Sequence, residues 1–128
     1  MIGARAFARH EGAATAAEFA LVVPLLLLLV FSTINMALAL SALVQLHFAT
    51  ERAARCLSVD PAGNCNANNL DSYVKARYTV PLTGLTFTPS QPASGCGNQV
   101  VGQGTYTVFT GVGSITIKLN SQACYPII

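Results

Sequence analysis

The chain divides by its pattern of apolar and polar positions into three stretches of different character. From Phe19 to Thr50 it reads FALVVPLLLLLVFSTINMALALSALVQLHFAT, 32 residues without a formal charge. A helix needs about 20 apolar residues to cross the hydrocarbon core of a bilayer. Because a lone segment in lipid must satisfy its backbone groups internally, this stretch is expected to be helical. Leu and Ala dominate it, and Pro24 near its start removes one helical hydrogen bond. Polarity then rises through Asn35, Gln45 and His47 to Glu51, Arg52 and Arg55, while the Ala-rich composition persists to Leu57. A helix over 14–58 would run about 65 Å at 1.5 Å per residue, enough for a membrane anchor and a stalk.

At Asp60 the composition changes. DPAGNCNANN holds turn and loop formers only, so the helix ends at or before it. NLDSYVKARY then places Leu70, Tyr73, Val74 and Arg77 or Tyr78 on one face after an Asn69 cap, which predicts a short second helix. Beyond Pro81, the segments LTFTP, TYTVFTGV and SITIKLN alternate Thr, Val, Ile and aromatic residues and predict strands. SQPASGCGNQVVGQG between them reads as a loop, and Gly102-Gln103-Gly104 and Gly111-Val112-Gly113 read as turns rather than phosphate loops. The expected fold is α+β: a long amino-terminal transmembrane and stalk helix, then a small disulfide-bonded head over 59–128. That head carries a short helix and a three- or four-stranded antiparallel sheet packed on the lower stalk.

Composition narrows the chemistry. In a chain of 128 residues, about 70 remain for a head, and domains so small commonly require disulfides, metals or partners. Cys56, Cys65, Cys96 and Cys124 all follow the apolar segment, so they lie on one side of any membrane it crosses. An even count on one side, with no C-x-x-C pair and no histidine after His47, favours disulfides in an oxidising compartment over zinc. Four cysteines allow three connectivities. Cys56–Cys65 and Cys96–Cys124 are favoured, each contributing on the order of 3 kcal/mol. The net charge of +2 comes from scattered cations with no basic patch, which argues against nucleic acid. With Asp60 and Asp71 the only carboxylates beyond the helix, no catalytic constellation forms, and neither cofactor nor metal is expected.

The first 11 residues, MIGARAFARHE, are polar and basic, and Arg5 and Arg9 favour a cytoplasmic amino terminus. Glu18 directly precedes the apolar run, and a carboxylate carried into a membrane usually has a partner or a task. Ser32, Ala37, Ala39, Ser41, Ala42, Ala49, Ala53 and Ala54 offer small positions at which helices approach closely. His47 reads as an interfacial or stalk-packing residue.

Read together, GAATAAEFALVVPLLLLLVF over 12–31, with Ala53-Ala54-Arg55 further on, resembles the starts of the tight-adherence (Tad) pilin-like proteins, in particular the TadE and TadG-type minor pseudopilins. The resemblance covers about residues 12–56. It implies a leader over 1–13 removed on the cytoplasmic side by a membrane-embedded aspartyl prepilin peptidase, within Gly12, Ala13 and Ala14. A cut after Gly12 makes Glu18 the sixth mature residue; a cut after Ala13 makes it the fifth, the family's usual position. It further implies a single-pass protein of the bacterial inner membrane with a periplasmic head, whose helix meets other pilin-like subunits and whose Glu18 pairs with a neighbour's new amino group. Two rival readings share the sequence: a secreted small domain cut after Ala39 in Ala37-Leu38-Ala39, and an uncleaved, membrane-anchored periplasmic binding module.

Overall fold

The computed structural model describes residues 3–63, 65–90, 95–111 and 113–127, with the backbone alone for 3–11 and 13. The element order is α1 (Gly3–Val59), α2 (Leu70–Lys75), β1 (Thr83–Ser90), β2 (Asn98–Phe109) and β3 (Ser114–Tyr125). The chain forms two compact units, Met1–Met36 and Ala37–Ile128.

The first unit is helix alone. Pro24 lies inside it without ending it. Thr33 Oγ1 donates to the Val30 carbonyl at 2.8 Å and Asn35 Nδ2 to the Phe31 carbonyl at 2.9 Å, so these polar side chains are satisfied by their own helix. Side chains from Ala14 through Thr33 are all exposed.

The second unit is the head together with the helix residues that form half its core. Ala39, Ala42, Leu46, Thr50, Ala53, Ala54, Leu57 and Ser58 are buried, a stripe recurring every three or four residues, as expected of one helical face. Helix α1 ends where Asp60 precedes Pro61, since the ring of a proline disfavours helical backbone in the residue before it. Cys56 on the last turns is joined to Cys65, with 5.6 Å between Cα atoms, and Cys96 is joined to Cys124 at 6.2 Å. The first bridge ties the helix end to the next loop, and the second ties the approach to β2 to the end of β3.

Helix α2 is shorter than the sequence suggests, and Asn69 is not its side-chain cap. Just upstream, Asn66 Oδ1 accepts from the N–H groups of Asn68 and Asn69 at 3.1 and 3.0 Å and holds the turn that leads into α2. Leu70 and Val74 point into the core, while Arg77 stacks over the Tyr73 ring at 3.8 Å. Asp71 works in two directions, accepting from Lys75 Nζ at 2.6 Å and, through Oδ1, from the Phe87 N–H at 2.8 Å. That second bond fixes α2 to β1.

The sheet has three antiparallel strands in the order β1-β2-β3. Its middle strand is longer than its sequence pattern indicates. Asn98 to Gly104, read above as loop, form the first half of β2, and Gly102 and Gly104 stand in mid-strand instead of at a turn. The reason is packing: a Cβ on Gly102 would lie 2.5 Å from Thr50 Oγ1 and 3.0 Å from Phe87, and one on Gly104 would lie 2.9 Å from Leu82. Glycine allows close approach of the sheet to the helix at Gly102 and of β2 to the Leu82 and Leu85 side chains at Gly104. At the β2–β3 turn, Gly111 has φ +82°, the left-handed conformation expected of glycine; Val112 lies outside the described residues. Phe87, Val100, Gly102, Gly104, Leu119 and Ser121 face the helix, and Thr86, Thr88, Gln103, Thr107 and Gln122 face outward.

Tyr78 closes the core at the turn after α2. Its hydroxyl donates to the Ala42 carbonyl at 3.3 Å, and its ring meets Phe87 edge-on at 6.5 Å. Burial raises its pKa above the ordinary 10.0. Raised in the folded state, Tyr78 contributes stability that is fully present below pH 10 and lost as pH rises through its folded value. Head unfolding followed by circular dichroism is therefore expected to become easier above pH 10, and Tyr78→Phe to flatten that alkaline limb.

Candidate functional site

The candidate site is the helix itself, and its surface changes along its length. Gly12, Ala13 and Ala14 lie within α1. Gly12 and Ala14 are exposed, and no heavy atom stands within 4 Å of a Cβ built on Gly12. Thr15 Oγ1 donates back to the Gly12 carbonyl at 3.1 Å. The side chains of Arg5, Arg9 and Ala13 lie outside the described residues.

One turn on, Glu18 is exposed, and among the described residues no ion pair holds it. From Phe19 to Leu38 every side chain is exposed except Asn35, which is half-buried. That stretch is 20 residues long, the length that crosses a hydrocarbon core. Exposing it to water would be costly at about 25 cal/mol per Å² of apolar surface, so lipid or other apolar helices must cover it. Within the apolar helix Ala14–Val59, the most apolar window has no buried part. It is therefore unlike the core helix of a globular protein, which is buried by its own chain.

Burial against the head begins at Ala39. This divides the small residues that the sequence offers as one helix-packing surface. Ala39, Ala42, Ala53 and Ala54 are buried under the chain's own head, with Ala49 partly so, whereas Ser32, Ala37 and Ser41 are exposed. The carboxyl-terminal members admit the sheet and are not free for another subunit. The surface open to neighbours is the Phe19–Leu38 stretch together with the outer face beyond it, where Leu40, Val44 and Phe48 stay exposed.

His47 joins the two sides of the head. Its Nδ1 lies 3.0 Å from Ser121 Oγ on β3, and its Nε2 lies 3.2 Å from Glu51 one turn along the helix. This is the stalk-packing role. Further on, Ser58 Oγ donates to the Ala54 carbonyl and accepts from Asn98 Nδ2 at 3.1 Å, locking the helix end to the start of β2. The contacts of His47 and Thr50 with the sheet had no periodic signature in the sequence, because one polar residue on an apolar face does not reveal its partner.

No curated protein and no solved structure matches the chain. The family model described as TadE-like protein matches residues 12–55. The matched stretch, about a third of the chain, takes in Glu18, the exposed span and nearly all of the face that receives the head, and over it the chain is similar to TadE-like proteins.

Proposed function

We propose that the protein is a minor pilin-like subunit that takes part in assembling a Tad-type pilus or its secretion apparatus. The observation that carries this reading is the arrangement along α1: a carboxylate, then a 20-residue exposed apolar stretch, then a helix face closed by a disulfide-bonded head. In this reading the amino terminus is cytoplasmic and the head periplasmic, where its disulfides form. A prepilin peptidase removes the leader after Gly12 or Ala13. Cleavage requires the helix to open there, and Gly12 helps, since glycine in a helix interior costs about 1 kcal/mol relative to alanine.

The new amino group, on Ala13 or Ala14, then lies within about two turns of Glu18. In an assembly of packed helices that exclude water, the amine of one subunit neutralises the carboxylate of the next, and a subunit out of register leaves a buried charge unpaired. Other pilin-like subunits are the partners, reached through the exposed span.

The test is the amino-terminal residue and intact mass of the protein purified from its membrane. A start at Ala13 or Ala14, with a mass lowered by two disulfides, is the expected result. A start at Leu40 would make it a secreted domain, and an intact Met1 would leave an anchored module. Glu18→Ala is expected to insert into the membrane at normal levels while assembly falls severely; normal piliation in that variant would remove the role of the carboxylate.

A further inference from the structure

The β2–β3 hairpin carries an apolar tip that its own core does not use. On β3 the core-facing positions run from Ser121 and Leu119 to Ile117 and Ile115, and exposure rises along them from 8 % at Leu119 to 39 % and 58 %. Val108 is paired with Ile115, and next to it Phe109 is 73 % exposed. Four large apolar side chains thus crowd the end of a two-stranded ribbon, where soluble hairpins place polar residues.

The direction of the ribbon follows from three contacts. His47 meets Ser121, Thr50 meets Gly102, which pairs with Ser121, and Ser58 meets both Tyr125 and its partner Asn98. Moving toward the chain end on β3 therefore moves toward the end of α1, and the hairpin turn points the opposite way, toward Ala37. Ser114 stands seven residues before Ser121, about 23 Å along a strand. Ala37 stands ten residues before His47, about 15 Å along a helix. The tip reaches at least to the end of the head at which one face of α1 first becomes buried.

Charge agrees with this placement. Between Tyr78 and Ile128 the sequence has one ionisable residue of formal charge, Lys118, and it directly follows Ile117. A long cationic side chain beside an apolar tip suits the level of lipid phosphates, with its stem along the apolar surface.

We propose that the tip of the β2–β3 hairpin, Val108, Phe109, Ile115 and Ile117, sits in the headgroup and upper acyl region of the bilayer that α1 spans, giving the head a second, peripheral attachment to the membrane. The inference rests on the membrane-spanning reading of α1. The attachment limits rotation of the protein as a whole about the membrane normal, which a single spanning helix leaves free, and so presents the outer, Thr- and Gln-rich sheet face in one orientation.

The sequence has no tryptophan, so single substitutions make clean reporters. Full-length protein is placed in phosphatidylcholine vesicles whose acyl chains are brominated near the glycerol end, and tryptophan emission is read for Phe109→Trp, Ile115→Trp, Leu28→Trp in the span and Thr86→Trp on the polar face. Emission from Phe109→Trp and Ile115→Trp is expected to be blue-shifted and to lose most of its intensity, while Thr86→Trp keeps its intensity. If Leu28→Trp is quenched by chains brominated deeper but Phe109→Trp and Ile115→Trp match Thr86→Trp, the hairpin inference falls and the span stands. If Leu28→Trp is not quenched at any depth, both fall. A blue shift without quenching that disappears on dilution with lipid would assign the tip to a second copy of the chain and overturn a lipid contact.

Discussion

Replacing Cys56 and Cys65 together by alanine is expected to cost the head about 4 kcal/mol, more than replacing Cys96 and Cys124, although the second bridge closes the longer loop. Sequence separations of 9 and 28 give about 2.7 and about 3.6 kcal/mol by loop entropy alone. Burial reverses that order. Cys65 is 1 % exposed within the core and Cys56 packs against it, so their removal also loses sulfur contacts and leaves space in the core. Cys124 is exposed, and its loss empties nothing. Deleting buried methylene-sized groups costs about 1 kcal/mol each, which is enough to overtake the difference in loop entropy. Guanidinium unfolding of the two double variants in detergent, followed by tyrosine fluorescence, checks this. Equal midpoints, or a less stable Cys96/Cys124 variant, would show that loop closure outweighs packing.

Gly102→Val is expected to destabilise the head by roughly 3 kcal/mol, at the upper end of overpacking effects. The nearest atom to a new Cβ is Thr50 Oγ1 at 2.5 Å, on a side chain that is fully buried and held to the Leu46 carbonyl at 2.7 Å. Phe87, the largest fully buried side chain, blocks the other direction. Neither neighbour can yield without moving strand from helix. A milder variant separates the two obstacles. Gly102→Ala combined with Thr50→Ala removes the closest atom, so the pair is expected to cost less than the sum of the single changes. Strict additivity would mean that Phe87, or the backbone of α1, sets the limit instead.

These two sites also show what the sequence makes legible and what it does not. The long helix and its span follow from 32 uncharged residues, a local property that no tertiary contact can mask. The strands rich in Thr, Val and Ile from Leu85 and from Ser114 are likewise visible as alternation. Asn98 to Gly104 are hidden, because a strand that must pass close to a helix gives up its side chains, and NQVVGQG then has the composition of a loop. The turn that Asn66 holds ahead of α2 is hidden for a related reason: a run of asparagines offers several equivalent side chains for such bonds, and only the fold selects one. The small residues of α1 mislead in the opposite sense. Their spacing signals close approach correctly, yet it cannot say whether the approaching surface belongs to the same chain. Of the candidate site, Glu18 and the start of the span are legible as a charge set against an apolar run, while the direction of the hairpin becomes available only once His47, Thr50 and Ser58 are seen to meet the sheet.

The near absence of charge beyond Arg77 reaches past the fold. Coulombic attraction between proteins is screened over about 8 Å at physiological ionic strength, and encounter between charged surfaces slows as salt rises. The outer face of this sheet, with its Thr and Gln side chains and Lys118 as its lone cation, has almost nothing to screen. Whatever meets that face does so by shape and neutral hydrogen bonds, and the encounter proceeds alike in fresh water and in brine.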